Sequence, residues 1–203
     1  IFEYDFVISI YAQNPLNLLL VAFQPNLTIR VGISESLEKS RRAIAMKVDG
    51  AVMVEDPRDA GPASVSLENQ GYDGAFIFEG RHDPFLPICV MAERSERIEL
   101  ITAIAVAFAR NPMTLANLGY DLQLHSKGRF ILGLGSQIKP HIERRFSMPW
   151  SKPASRMKEM ISAIRAIWHT FETGEKLDHR GEFYNHTLMA PFFNPGLNPH
   201  GTP

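Results

Sequence analysis

From Met46 onward the chain alternates short apolar runs with stretches whose apolar residues recur every three or four positions, and this unit repeats four times. Residues 48–54 predict a first strand, followed by a polar helix from about Asp59 that closes at Gln70-Gly71, where glycine can take the left-handed cap conformation. Residues 74–78 predict the second strand. Asp83-Pro84 then reads as an N-cap with proline at the first helical position, opening a helix that runs to about Arg94. Residues 98–106 predict the third strand, and Arg110-Asn111-Pro112 repeats the cap-plus-proline device ahead of a helix with Leu115, Leu118 and Leu122 along one face. Residues 129–134 predict the fourth strand. The connection from Gly135 to about Ser151 is long for an α/β unit, and long connections in compact domains are commonly functional. After it, Met157, Met160, Ile161, Ile164, Ile167, Trp168 and Phe171 form a single apolar helical stripe, ended by Gly174, and read as core. In the Pro-, Gly- and Asn-rich tail, Gly181-Glu182-Phe183-Tyr184 reads as a short hairpin or an extended insertion.

Strands alternating with helices predict an α/β protein with a parallel sheet and right-handed crossovers. Four strand-helix units are half of a TIM (β/α)8 barrel, whose full chain takes about 250 residues. Residues 46–203 therefore read as the amino-terminal half of such a barrel, with an open four-stranded sheet as the alternative. A half barrel leaves two strand edges to be covered by more chain, by a second copy or by solvent. Residues 1–45 carry no comparable pattern and read as an unrelated extension, poorly ordered or non-native, a reading favoured by the absence of Met at position 1. Their apolar run at residues 18–23 falls far short of the roughly 18 residues a spanning helix needs. No basic start precedes Arg30, so a secretory leader is not expected either, and the chain reads as cytoplasmic.

Composition narrows the partners. At 45% hydrophobic residues the chain can build a core, and a net charge of -1 supplies no excess of cations for nucleic acid or an anionic membrane. The single cysteine, Cys89, sits in the apolar run Ile88-Cys89-Val90-Met91 and reads as helix core. No metal is implied: the seven histidines show no His-Glu-x-x-His pattern and no Cys/His zinc spacing. Neither a Gly-x-Ser-x-Gly elbow nor a phosphate-cradling Gly-x-x-x-x-Gly-Lys loop is present.

Three constellations carry candidate chemistry. Gly133-Leu134-Gly135 ends the fourth strand, where glycines let a flat ligand approach the backbone or simply serve packing; Ile138 stands where a dinucleotide fingerprint needs its third glycine. Glu79, Arg81, His82 and Asp83 follow the second strand, and catalytic residues of barrels sit at strand C-termini. The bland alternative there is that Asp83 caps the helix while Arg81 and Glu79 form a surface ion pair. The run from Lys139 to Arg145 offers arginines for an anionic group, or is a solvated loop.

Taken together, Glu79-Gly80-Arg81-His82-Asp83-Pro84-Phe85-Leu86-Pro87, Thr102-Ala103-Ile104-Ala105-Val106 with Arg110-Asn111-Pro112 and Ala116, and Ser126-Lys127-Gly128-Arg129-Phe130 with Gly133-Leu134-Gly135 resemble the luciferase-like monooxygenase family, in its branch of flavin- or F420-dependent oxidoreductases. The helix with Arg156, Glu159, Arg165 and Trp168 also fits. The resemblance implies a (β/α)8 barrel with insertions, hydride transfer on a small-molecule substrate, and a ring lying across the C-terminal mouth. Coenzyme F420 is the implied cofactor, with FMN as the alternative. It implies His82 as proton donor or substrate ligand, with Glu79, Ala103, Ile104, Gly133 and Gly135 lining the ring and Gln137 bonding its polar edge. It also implies a bulged, non-prolyl cis peptide late in strand three, around Ala103-Ile104. Gly80-Arg81-His82 departs from the Ser-Asp-His of many relatives, and Gln137 stands where some deazaflavin enzymes present a glutamate. The rival expectations are a non-catalytic fragment that folds with a partner or as a homodimer, and an FMN monooxygenase that consumes molecular oxygen.

Overall fold

The computed structural model describes the backbone of residues 9–14, 17–24, 27–33 and 44–203, and the side chains from Met46 onward. The chain divides into two compact units, residues 1–103 and 104–203.

In the first unit, β1 (Ser9–Asn14), β2 (Asn17–Gln24) and β3 (Leu27–Ile33) run as an antiparallel meander, and β3 pairs antiparallel with β4 (Ile44–Ala51), Leu27 opposite Gly50 and Ile33 opposite Ile44. The expected extension over residues 1–45 thus carries strands wherever its backbone is described; its remaining residues lie outside the described ones. From β4 onward the pairing turns parallel. β4 pairs with β5 (Gly74–Ile77), Ala51 opposite Phe76, and β5 with β6 (Glu99–Thr102), Ile77 opposite Thr102. Every residue of β5 is buried, as a strand covered on both faces requires. The crossovers are α1 (Ala60–Asn69), entered by a 3-10 turn at Pro57–Asp59, and α2 (Phe85–Arg94). The helix starts at Phe85, one residue later than the sequence places it, so Pro84 takes the N-cap position, and Asp83 just before it accepts the Phe85 N–H at 2.9 Å.

Cys89 overturns an expectation. It is exposed, because α2 buries Phe85, Ile88, Met91 and Ala92, and at 100° per residue position 89 falls at the edge of that stripe, toward Leu86, itself 64% exposed. An apolar run marks a buried helix only where its periodicity, not its length, is followed.

In the second unit, β7 (Ala105–Val106) leads through a 3-10 turn to α3 (Pro112–His125), whose Asn111 cap accepts the Thr114 N–H at 2.9 Å as the sequence predicts. Strand three is therefore interrupted between Thr102 and Ala105, at the Ala103-Ile104 position where the resemblance implies a bulge. Strand four is likewise divided into β8 (Phe130–Ile131) and β9 (Leu134–Gly135). β9 pairs parallel with β7, Ala105 opposite Leu134 and Val106 opposite Gly135. The predicted stripe forms α4 (Pro153–Thr173), which buries Met160, Ile164, Ile167, Trp168 and Phe171 and stops at Gly174 with φ +73°. Trp168 Nε1 donates to the Ala116 carbonyl of α3 at 2.9 Å, and Trp150 packs edge-on against Phe108. Beyond it, β10 (His179–Arg180) and β11 (Asn185–His186) form the antiparallel hairpin that the tail suggested. The last residues bind back to α3: Tyr120 Oη donates to the Gly196 carbonyl and accepts the Asn198 N–H, and Asn198 is buried.

The chain is thus an α/β protein of four strand-helix units, β4-α1, β5-α2, β6/β7-α3 and β8/β9-α4. Among the described residues no helix is long and apolar enough to cross a membrane.

Candidate active site

Parallel strands direct their carboxyl ends to one edge, and what stands just past those ends is what a ligand meets. In the first unit the β4–β5 register continues past the strands, with Val52 N–H donating to the Phe76 carbonyl at 2.8 Å. Two residues beyond the last pair, Ala51 and Phe76, stand Met53 and Phe78. Both are large, apolar and open to solvent, 65% and 44% exposed. The Phe78 ring lies 3.1 Å from where a Cβ on Gly80 would stand, so the glycine at 80 gives that ring its place. Sequence reading missed this pair, because apolar residues at a strand's end look like the strand itself.

The polar groups follow directly. Arg81 Nη1 pairs with Glu55 Oε1 at 2.9 Å, and both partners are exposed. Glu79 is half-buried and His82 exposed. Asp56, after β4, is a further group that the sequence did not single out. Its carboxyl is held at about 2, first by the side-chain bonds from Arg58, then by the Arg58 N–H, with a smaller share from His82. The His82 imidazole therefore stands within electrostatic reach of a firmly ionised carboxylate. Ala103, just past β6, is buried, and its N–H donates to the Ile77 carbonyl at 2.8 Å.

In the second unit the structure brings Ile104, Gly133 and Gly135 together. The Ala105 N–H donates to the Gly133 carbonyl at 2.8 Å, and a Cβ on Gly135 would lie 2.6 Å from Ile104 Cγ1 and 2.7 Å from Cδ1. The space beside the glycine at 135 is thus filled by the half-buried Ile104 side chain. Two residues on, Gln137 has φ +61°, a conformation that side-chain-bearing residues seldom adopt and that tends to accompany functional sites. Its Oε1 accepts the Ile138 N–H at 3.0 Å, which leaves Nε2 as the group able to donate outward.

The long connection after Gln137 is ordered by its own contacts. A helical turn at His141–Arg145 buries Ile142, with Lys139 and Glu143 3.8 Å apart and Arg145 stacked on Phe146. Its far end is held by Arg156 of α4. That buried guanidinium stacks 4.5 Å from Phe108 and donates to the Pro149 carbonyl at 2.6 Å and to Tyr184 Oη at 2.9 Å. A charged residue on a helix stripe gave no sequence sign of this anchoring role.

Parallel strand-helix units with chemistry-bearing groups past their carboxyl ends define a domain of the (β/α)8 type. The chain belongs to the luciferase-like monooxygenase family, whose profile it matches over residues 38–203. It is 54% identical over 158 residues to an uncharacterized protein of Mycobacterium tuberculosis, covering 78% of this chain and 46% of that one. It is 27% identical to an F420-dependent glucose-6-phosphate dehydrogenase of Amycolatopsis mediterranei, covering 63% of this chain and 41% of that one. Among solved structures, the oxygenating constituent of 3,6-diketocamphane monooxygenase from Pseudomonas putida, in complex with FMN, shares the fold with a TM-score of 0.57 at 18% identity, over 66% of this chain and 40% of that one. The chain spans about half the length of the curated relatives it matches.

Proposed function

We propose that this chain is part of an oxidoreductase that transfers hydride between a small-molecule substrate and coenzyme F420, with the cofactor ring at the carboxyl ends of the parallel strands. The observation that carries the reading is that Met53 and Phe78, each two residues past the last paired residue of β4 and β5, leave large apolar side chains exposed, with His82 four residues beyond Phe78. A flat ring is the kind of ligand that such a surface removes from water. When bound, the cofactor supplies the redox step, and the protein supplies orientation and a dry pocket. Met53 and Phe78 cover a ring face, and Glu79 and Ala103 border it. In the second unit, taken by itself, Ile104, packed over Gly135, offers an apolar surface, and Gln137 Nε2 is left able to donate to a polar group. His82, near the Asp56 carboxylate, holds the proton delivered to the substrate. F420 is preferred to FMN because a relative at 27% identity is named for F420.

Titrating the intact gene product with F420 and with FMN, followed by fluorescence quenching, tests the assignment. Tight binding of F420 is expected. FMN binding with oxygen consumption would move the assignment to the monooxygenase class, and binding of neither would leave the non-catalytic reading. His82→Ala should lower turnover about tenfold or more, within the range of general acid-base groups; unchanged turnover removes His82 from this role.

A further inference from the structure

The β10–β11 hairpin holds a cluster that the proposed reaction does not use. His179 stands directly opposite His186 in the ladder, and Arg180 opposite Asn185, while the Gly181 N–H donates to the Tyr184 carbonyl to close the turn. Residues opposed across an antiparallel pair, and those two positions along, project to the same face. His179, His186, Tyr184 and position 181 therefore share one face. That face is turned to α4, since a Cβ on Gly181 would lie 2.0 Å from Glu159 Oε1, and Tyr184 Oη receives Arg156 Nε.

The two imidazoles are unusual in their partners. Nε2 of His179 and Nε2 of His186 are both buried, and neither has a hydrogen-bond partner. Burial first, then the neighbouring His179, lowers the proton affinity of His186, which favours the neutral ring. The Glu159 carboxylate is near enough to feel His179. Adjacent imidazoles with unpartnered ring nitrogens are ligands for Cu2+, Zn2+ or Ni2+, which imidazole suits better than it suits Mg2+ or Ca2+.

We propose that His179 and His186 jointly bind one divalent transition-metal ion through Nε2, and that the ion pins the two strands of the hairpin together. Among the described residues no group of three or more His, Cys, Asp and Glu side chains could hold a metal, so the protein supplies two ligands here. This site stands apart from the cofactor reading, and neither depends on the other.

The test is a titration of the metal-stripped intact chain with Cu2+ at neutral pH, read by calorimetry and by electron paramagnetic resonance. One equivalent with two coordinated nitrogens is expected, competed by Zn2+ and released by mild acid. His179→Asn and His186→Asn should each weaken binding about tenfold or more, while His125→Asn leaves it unchanged. A spectrum with fewer than two nitrogen ligands overturns the proposal on the unmutated chain, whatever the variants do. So does undiminished binding in both hairpin variants, which would assign the ion to other histidines.

Discussion

Glu68 in the first unit and Glu159 in the second solve one problem with one device. Each is a helical glutamate whose carboxylate accepts three consecutive backbone N–H groups: Glu68 Oε2 takes those of Glu96, Arg97 and Ile98, and Glu159 takes those of Glu182, Phe183 and Tyr184. In both, burial pushes the carboxyl up, and the three N–H bonds outweigh it and bring it below the ordinary glutamate value. The surroundings differ. Glu68 is only 9% exposed and fixes the entry to β6, the end of the strand away from the candidate site. Glu159 is half-buried and fixes an excursion, the hairpin turn, and it fits only because position 181 has no side chain. The first unit secures a strand of its sheet; the second secures a hairpin against its own helix.

The comparison breaks most easily at its stronger member. Glu68→Ala should cost about 3 kcal/mol in urea unfolding, because three N–H groups lose a charged acceptor whose own side chain is nearly buried. Glu159→Ala should cost less, about 2 kcal/mol, since water can reach the turn. Equal losses would mean that exposure does not separate the two staples. Gly181→Ala sharpens the point: it should cost as much as Glu159→Ala, and the double variant should cost no more than either alone, a non-additivity that a thermodynamic cycle measures directly. Gly135→Ala should destabilise by about 1–2 kcal/mol through overpacking against Ile104, and Ile104→Ala in the same chain should restore most of it.

The pH dependence is the smallest effect and has a definite sign. Glu68 and Glu159 are lowered in the folded protein, so their contribution is whole above the ordinary value of 4.5 and is lost as pH falls through their lowered folded values. His186 is also lowered, so stability should begin to fall once pH drops below its ordinary 6.5, before either glutamate titrates. A thermal midpoint in the second unit that rises between pH 7 and 5.5 would contradict this order.

Local rules carried much of the fold into the sequence. The Asn111-Pro112 start, the Gly174 stop and the α4 stripe were legible because capping chemistry and helical period act within a few residues. The breaks within strands three and four were not, because each depends on which strand lies alongside: β6 pairs with β5, and β7 with β9. Past the strand ends, His82 was legible as a polar group after the second strand, and Gln137 only through the family resemblance. Met53 and Phe78 were not legible, since only the end of the sheet reveals that their apolar side chains are left uncovered. β1 and β2 carry no strict alternation, but β3 does, with Leu27, Ile29, Val31 and Ile33 alternating with Thr28, Arg30 and Gly32, a strand signature that the reading of residues 1–45 as patternless passed over.

The placement of the tryptophans supplies a built-in optical reporter. The chain has two, Trp150 against Phe108 and Trp168 hydrogen-bonded to Ala116, and both belong to the unit beyond Ile104. Intrinsic emission therefore watches one half of the molecule while circular dichroism watches all of it. A lag between the two signals on heating would say that the halves melt in turn.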